Sequence, residues 1–384
     1  MSYDIASDKT EKQTQLGVLI RNQHIRNMLK QKPATRFQRL QDANTEDGIT
    51  LFFFSLINVD FEPQVIKAVF FDKLDHLWKE GNFAFPDVLY FCGGIPKRLR
   101  PLYQQFISAL KVKQCKFLNH IKGFDKWEIC QLLAQNADIR HYLPETRLFS
   151  GGNSLRDMLH IHGTVYLKGC YGQRGEQVIR VKKISATMYE YRFFINRLRI
   201  GKVTFKRLIK LLSSFYQHNT FIIQQAISLP DKGGQKMDMR AELQRNGNGE
   251  IVIPGICVRL GLVGSPITIH SRSYRLADYV TSTDVNINHL SERKITNFLF
   301  GIYSAMEAVY GPLGELGIDF ALDTKGKLWF IECNSHPTKV SLMKAYDEGT
   351  INQAFCNTLA YAQFLAGSKR ESDCDNLSEQ ARLP

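Results

Sequence analysis

Residues 317–339 read GIDFALDTKGKLWFIECNSHPTK, two runs of alternating character joined by Asp323-Thr324-Lys325-Gly326. The pattern predicts a hairpin of Gly317–Leu322 and Lys327–Cys333, because a period of two buries one face and a Gly-containing turn reverses the chain. Glu332 and Asn334 are two apart and therefore share a face of their strand. A turn centred on Lys325-Gly326 sets Asp319 directly opposite Glu332. A four-residue loop shifts the register by two and leaves the pair diagonal on one face. Carboxylates opposed across a strand pair repel, so a cation makes the arrangement favourable. Two carboxylates and an amide oxygen suit Mg²⁺, which is held by one or two protein carboxylates together with substrate phosphates. A hairpin whose acids simply face water fits the same letters, and this stretch alone does not separate the two.

Two lysines upstream sit where phosphate binding needs them. Asp125-Lys126-Trp127 opens a predicted helix through Asn136, with Asp125 as its N-cap. Lys126 then lies in the first turn, where backbone N–H groups favour anions. Lys168 ends a predicted strand, Thr164–Lys168, and enters Gly169-Cys170-Tyr171-Gly172-Gln173-Arg174-Gly175 before a second strand, Gln177–Val181. Glycines let backbone amides close around phosphate oxygens, and Arg174 adds a charge-assisted donor. A basic-tipped hairpin loop is the alternative reading. The chain has neither a G-x-x-x-x-G-K-[ST] loop nor a strand-anchored G-x-G-x-x-G, so a nucleotide must be held another way.

Further predicted elements are a helix at Phe205–Phe215 and strands at Phe221–Gln225, Asp238–Gln244 and Glu250–Val258, the last two joined by Asn-Gly-Asn-Gly at 246–249. A helix over Glu292–Tyr310 carries Ile295, Phe298, Leu299, Ile302, Met306 and Val309 at the spacing of one buried face. Trp127 and Trp329 lie in apolar patterns and are expected in the core. His160-Ile161-His162 is expected on a strand as an exposed pair rather than a metal site. The stretch Arg192–Lys210 interleaves seven cations with Phe193, Phe194 and Phe205. It reads as a solvated basic helix, with polyanion binding as the alternative.

The 384 residues are 44% hydrophobic and 23% charged, an ordinary globular balance. No apolar run approaches the roughly 20 residues of a membrane span. The longest candidate, Ile49–Val59, is broken by Ser55 and Asn58. The first fifteen residues are polar and lack a signal-like stretch. The eight cysteines form no C-x-x-C pair, which predicts reduced thiols in the cytosol rather than a zinc or disulfide framework. The net charge of +13 favours an anionic partner, and nucleotide, nucleic acid, membrane surface and acidic polymer all satisfy it. The expected organisation is a flexible arm at 1–15 and an N-terminal α/β domain at 16–118, with apolar runs at Leu16–Ile20, Ile49–Ile57 and Val88–Phe91. A central subdomain at 119–227, a C-terminal subdomain at 228–367 and a polar tail at 368–384 complete it.

In this order, lysine on a helix, lysine before a glycine loop, apolar strand with polar end, then Asp…Glu-x-Asn, the chain resembles the ATP-grasp superfamily. More narrowly it resembles the YheC/YheD family of ATP-grasp proteins, described as endospore coat-associated. The resemblance rests on PDVLYF (86–91), DKWEICQLL (125–133), YLPET (142–146), YLKGCYGQRG (166–175), FIIQQAISL (221–229), DMRAEL (238–243) and GELGIDFALDTKGKLWFIECNSHP (314–337). It implies an α/β ATP-grasp fold in which two α+β subdomains clasp Mg-ATP. Lys126 and Lys168 would contact the phosphates, Lys168 with a catalytic share as well. Gly169, Gly172 and Gly175 would form the lid loop, and the backbone of Gln224, Gln225, Ala226 and Ile227 the adenine-binding hinge. Asp319, Glu332 and Asn334 would hold Mg²⁺, while Arg240, and less directly Arg259, would neutralise the transferred phosphate or the acceptor carboxylate. The implied activity is ATP-dependent ligation of a small-molecule or peptide carboxylate to an amine or thiol through an acyl phosphate. The rival implication is a non-catalytic spore-coat protein that retains the fold. Pro337-Thr338 after Glu-x-Asn, Glu176 in the lid and Cys92-Gly93-Gly94 after the first domain's third apolar run depart from the family pattern, which bears on the acceptor site more than on the nucleotide site.

Overall fold

The run Leu51-Phe52-Phe53-Phe54 is buried on both faces, as expected of a strand inside a parallel sheet covered by helices. The structure, a computed structural model, describes residues 13–46, 48–172, 175–217, 219–268, 272–281 and 292–367. Most of the arm expected at 1–15 and the tail expected at 368–384 lie outside the described residues, as do Gln173 and Arg174 of the glycine loop. The chain divides into two compact units, one of residues 1–119, 244–252 and 352–384, the other of 120–243 and 253–351.

In the first unit, strands Ile49–Phe54, Thr14–Leu19, Val88–Phe91 and Lys116–Phe117 lie side by side and parallel in that order. An antiparallel hairpin of Val65–Asp72 and Leu77–Ala84 extends the sheet beyond Ile49–Phe54. Helices Asn22–Leu29, Thr35–Asp42 and Arg100–Val112 occupy the connections. Phe52, Phe54, Leu89, Phe106 and Leu110 meet in one core, with Phe52 stacked on Phe83 at 4.5 Å.

The second unit holds two sheets. The first runs in the order Arg197–Thr204, Met188–Ile195, Val178–Lys183, Thr164–Gly169, Phe221–Gln225, Thr146–Leu148, every neighbour antiparallel. Alternate residues Val165, Leu167, Ile179, Val181 and Ile223 point to one face, where helices Gly152–His162 and Phe205–Tyr216 cover them with Leu155, Met158, Leu208 and Leu212. Each such buried aliphatic side chain contributes about 2 kcal/mol. Tyr166 and Lys168 lie on the opposite face. The second sheet runs Arg272–Arg275, Ile251–Leu260, Gln235–Arg245, Glu315–Leu322, Leu328–Asn334. The helix Glu292–Tyr310 buries Ile295, Phe298, Leu299, Ile302 and Met306 as its spacing predicts.

Four expectations fail. Val309 of that helix is 61% exposed, although the next residue, Tyr310, still packs on Phe124 with ring centroids 5.2 Å apart. His160 and His162 end the helix Gly152–His162 rather than lying on a strand, and His162 Nε2 sits 2.8 Å from Glu145 Oε2. Residues 192–204 are a β-hairpin, Met188–Ile195 with Arg197–Thr204, and helix begins only at Phe205. Arg192 and Lys202 fall on one face of that strand pair and Arg197 and Arg199 on the other, a distribution that a count of basic residues does not reveal. Trp127 and Trp329 are only partly buried. The Trp329 indole instead donates to Asp323 Oδ2 across the hairpin turn, with Lys327 Nζ 3.6 Å above its ring.

Candidate active site

The hairpin of Glu315–Leu322 and Leu328–Asn334 brings Asp319 opposite Glu332, by a route the sequence did not suggest. The turn is centred on Lys325, with Asp323 N donating to Lys327 O at 3.0 Å and Gly326 at φ 78°. In that register Leu322 pairs with Leu328 and Phe320 with Phe330, which would set Asp319 against Ile331 and turn Glu332 to the other face. A β-bulge at Ile331 adds one residue to the second strand and restores the Asp319–Glu332 pair. The bulge, not the turn, puts both carboxylates on one face.

The neighbouring strands supply the counter-charge. On Gln235–Arg245, Asp238, Arg240 and Glu242 alternate and share a face. Arg240 Nε lies 2.9 Å from Asp319 Oδ1, and Arg259, from Ile251–Leu260, reaches Asp319 Oδ2 at 3.2 Å. Arg259 is itself clamped by Asp238 through two bonds of 2.6 and 2.8 Å, and Thr268 Oγ1 donates to Asp238 at 2.7 Å. Burial lowers the pKa of the Arg259 guanidinium, but Asp238 and Asp319 outweigh it and raise the net value, so the group stays charged. Burial pushes Asp319 up to about 6 against the pull of Arg240 and Arg259.

Lys126 opens the helix Lys126–Gln135, whose cap Asp125 accepts from the amides of Trp127 and Glu128 as predicted. Its Nζ stands 3.9 Å from Glu332 Oε2 and donates to Gly172 O at 3.2 Å, tying the glycine loop to the hairpin. Burial raises the Glu332 carboxyl, but Lys126 and Lys168 outweigh it and hold the group below its ordinary value. Lys168 is 8% exposed and donates to Gln224 Oε1 at 2.6 Å, while Gln224 Nε2 donates to Thr146 Oγ1 at 3.0 Å. Burial lowers the Lys168 pKa despite Glu332 nearby.

Gly169 has a steric reason: a Cβ there would stand 1.9 Å from Gln177 Oε1. Gly175 adopts φ 66°, the left-handed region that favours glycine. Gly172 has ordinary room for a Cβ. At the strand end expected to bind adenine, Gln225 N donates to Glu145 O and Ala226 N to Thr164 O, so those two N–H groups are committed internally. Ile227 O accepts from Leu229 N.

Asp319, Glu332, Arg240, Arg259, Lys126 and Lys168 thus form one electrostatic cluster drawn from five strands and a helix. Among the described residues, no three of His, Cys, Asp and Glu form a metal cage. Two carboxylates plus Asn334 fit an ion that takes its remaining ligands from phosphates and water. Buried polar atoms that lack hydrogen-bond partners here include Asn334 Nδ2, Arg240 Nη1, Asp319 Oδ1 and Glu242 Oε2. Arg240 Nη1 lies over Gly317, where a Cβ would approach it to 2.3 Å. An orphaned buried guanidinium donor is costly unless an anionic ligand completes it. Asp238, Gln177, Thr146 and Gly317 were missed in the sequence. Only Asp238 left a signal, as the first member of the alternating Asp-x-Arg-x-Glu.

A family model described as YheC/D like ATP-grasp matches residues 114–365. The endospore coat-associated protein YheC of Bacillus subtilis (strain 168) is 25% identical over 337 residues, covering 83% of this chain and 89% of that protein. Among solved structures, D-alanyl-alanine synthetase A from Vibrio cholerae O1 biovar eltor superimposes with a TM-score of 0.53 at 12% identity, covering 93% of this chain and 98% of that one. The ATP-grasp ligase PsnB, complexed with minimal precursor, Mg and ADP, gives 0.51 at 11% identity over 91% and 98%. These structural likenesses establish the ATP-grasp fold. Since the family model spans well over half the chain and takes in every charged residue of the cluster, the chain belongs to the YheC/D-like ATP-grasp family.

Proposed function

We propose that the chain is an ATP-dependent ligase that activates a carboxylate as an acyl phosphate and passes it to an amine or a thiol. The observation that carries the reading is the convergence of four cations on Asp319 and Glu332, with a buried Arg240 donor left unpartnered. Phosphoryl transfer asks little covalent chemistry of a protein; it asks for position and charge neutralisation. In this reading Lys126 and Lys168 hold the phosphates, and Gly169, Gly172 and Gly175 let the lid loop approach them. Arg240 and Arg259 neutralise the transferred group or the acceptor carboxylate. The hinge at Gln224, Gln225, Ala226 and Ile227 seats the base. Asp319, Glu332 and Asn334 would hold the Mg²⁺, which supplies Lewis-acid charge on the phosphate oxygens. The two-subdomain clasp, 119–227 with 228–367, and a cytosolic setting belong to the same reading.

Calorimetric titration with ATP and with a non-hydrolysable analogue, with and without Mg²⁺, tests it. Micromolar, Mg²⁺-dependent binding is expected, abolished by Glu332→Ala in a folded protein. No binding at millimolar ATP refutes the proposal.

One observation favours a second reading, a coat-assembly scaffold that has kept the fold. It is the name of the YheC relative, an endospore coat-associated protein. Release of ADP with any carboxylate and amine pair separates the enzyme from the scaffold.

A further inference from the structure

The open face of the six-stranded sheet carries more positive charge than the nucleotide site uses. Tyr166 lies on that face with Lys168, since Val165 and Leu167 point into the helix-covered core. The register then sets Gln224, Tyr166, Arg180 and Arg192 side by side on four successive strands. Lys236, from the other sheet, donates to the Tyr166 hydroxyl, its Nζ 5.0 Å from the ring centroid. Arg180 and Arg192 share a single acid: Glu190 Oε1 is 2.7 Å from Arg192 Nε and 3.4 Å from Arg180 Nη1. Arg192 Nη1 also reaches Gly264 O at 3.5 Å. Arg180, Arg192 and Lys236 therefore stand, together with Lys182 and Lys202 that flank Glu190 on the neighbouring strands, against that carboxylate.

These are not solvated surface charges. The side chains of Arg180, Arg192 and Glu190 are 18%, 28% and 15% exposed. Two arginines directly opposed on neighbouring strands repel, and one glutamate balances only one of them. Both forks retain N–H groups beyond the Glu190 contact, in the geometry that takes a carboxylate or a phosphate. The row begins at Gln224, which grips the phosphate-site Lys168. It ends at Arg192, three strand spacings or about 14 Å away. That distance equals about four residues of extended chain.

We infer that Lys236, Arg180 and Arg192 form an anion-recognition row for the acceptor, which carries a second carboxylate or phosphate some distance from its reacting group. The inference rests on the ligase reading for the word acceptor alone; the row itself is read by direct binding. An acceptor of this class is extended and polyanionic, longer than a single amino acid. Its remote charge is exchanged for the excess on the sheet face, so binding energy far from the reacting atoms positions them.

The test is fluorescence polarisation of dye-labelled tetraglutamate, tetra-O-phosphoserine and tetraglutamine on the full chain at 150 mM salt, with and without Mg²⁺ and the non-hydrolysable ATP analogue. Wild type is expected to bind one or both anionic peptides at least tenfold tighter than tetraglutamine, and the better of the two identifies carboxylate or phosphate as the group read. Arg180→Gln with Arg192→Gln should remove at least tenfold of that affinity. Arg197→Gln with Arg199→Gln, which deletes the same charge from the exposed outer strand, should cost less than threefold. Lys236→Met is the independent variant should the double arginine change impair folding, and at least a threefold loss is expected. Equal affinity for the three peptides overturns the inference, and so do equal losses in the two double variants, which would mark a merely basic surface. Calorimetry of the nucleotide alone, expected within twofold of wild type in every variant, reports separately on the ligase reading.

Discussion

Glu242 is 2% exposed on the strand that carries Asp238 and Arg240, and its Oε2 has no hydrogen-bond partner. Arg240 keeps its Nε 4.0 Å from Glu242 Oε1 while leaning on Asp319. Burial therefore dominates, aided by Glu315 and Asp319, and raises its pKa from 4.5 to about 7. Because the folded value lies above the unfolded one, the stability tied to this proton is complete below pH 4.5 and is lost as pH rises through 7. The interval from 4.5 to about 7, at roughly 1.4 kcal/mol per pH unit, amounts to about 3 kcal/mol. Glu242→Gln keeps the shape of the protonated acid and never ionises. Its urea midpoint should match wild type at pH 4.5 and exceed it at pH 8.5 by an amount worth about 3 kcal/mol, at constant m-value. Groups that do not interact with Glu242 act in both proteins and cancel in the difference, whereas Asp319, which repels it, titrates more easily once the Glu242 charge is gone. If the two proteins lose stability in parallel from pH 4.5 to 8.5, the reasoning fails: the carboxylate is then stabilised by its neighbours as a charge, and burial does not govern it.

Three further outcomes follow from the same geometry. Gly169→Ala must push the Gln177 side chain aside and should cost about 1–3 kcal/mol. Adding Gln177→Ala should recover most of it in a double-mutant cycle, and strict additivity would show that the clash is not the cause. Arg259→Lys replaces a two-bond clamp on Asp238 and a contact to Asp319 with a single ammonium. A loss on the order of 3 kcal/mol by denaturation is expected, and one under 0.5 kcal/mol would contradict a structural role for the clamp. Asp125→Ala removes two bonds to the first turn of the Lys126 helix and should cost about 1 kcal/mol. Weaker ATP affinity by calorimetry should accompany it, because Lys126 loses its anchor; unchanged affinity would separate the cap from the site.

Much of the second unit was legible because its signals are local. The strand Phe221–Gln225 and the helix Glu292–Tyr310 fall where β-branched density and three-to-four spacing put them, and the Asp125 cap is a property of three consecutive residues. Side-chain alternation likewise placed Glu332 and Asn334 on one face. The basic stretch from Arg192 misled because cations with interleaved aromatics suit a helix and a strand pair equally. The register against Met188–Ile195, and the core behind it, decided for the hairpin.

What the sequence alone determined was the chemistry at hand: two lysines, a glycine loop and an Asp…Glu-x-Asn set, each a consequence of residue type and short spacing. Tertiary structure decided how they meet. The bulge at Ile331 reverses the face of Glu332, and no period-two count predicts an extra residue in one strand. Asp238 became the clamp of Arg259, 21 positions away, only because their strands are neighbours in one sheet. Lys126 and Glu332, more than two hundred residues apart, became partners because a helix N-terminus and a hairpin end converge on one point. Local propensity sets the elements, whereas the placement of charge depends on sheet order and register, which arise from the burial of the whole core at once.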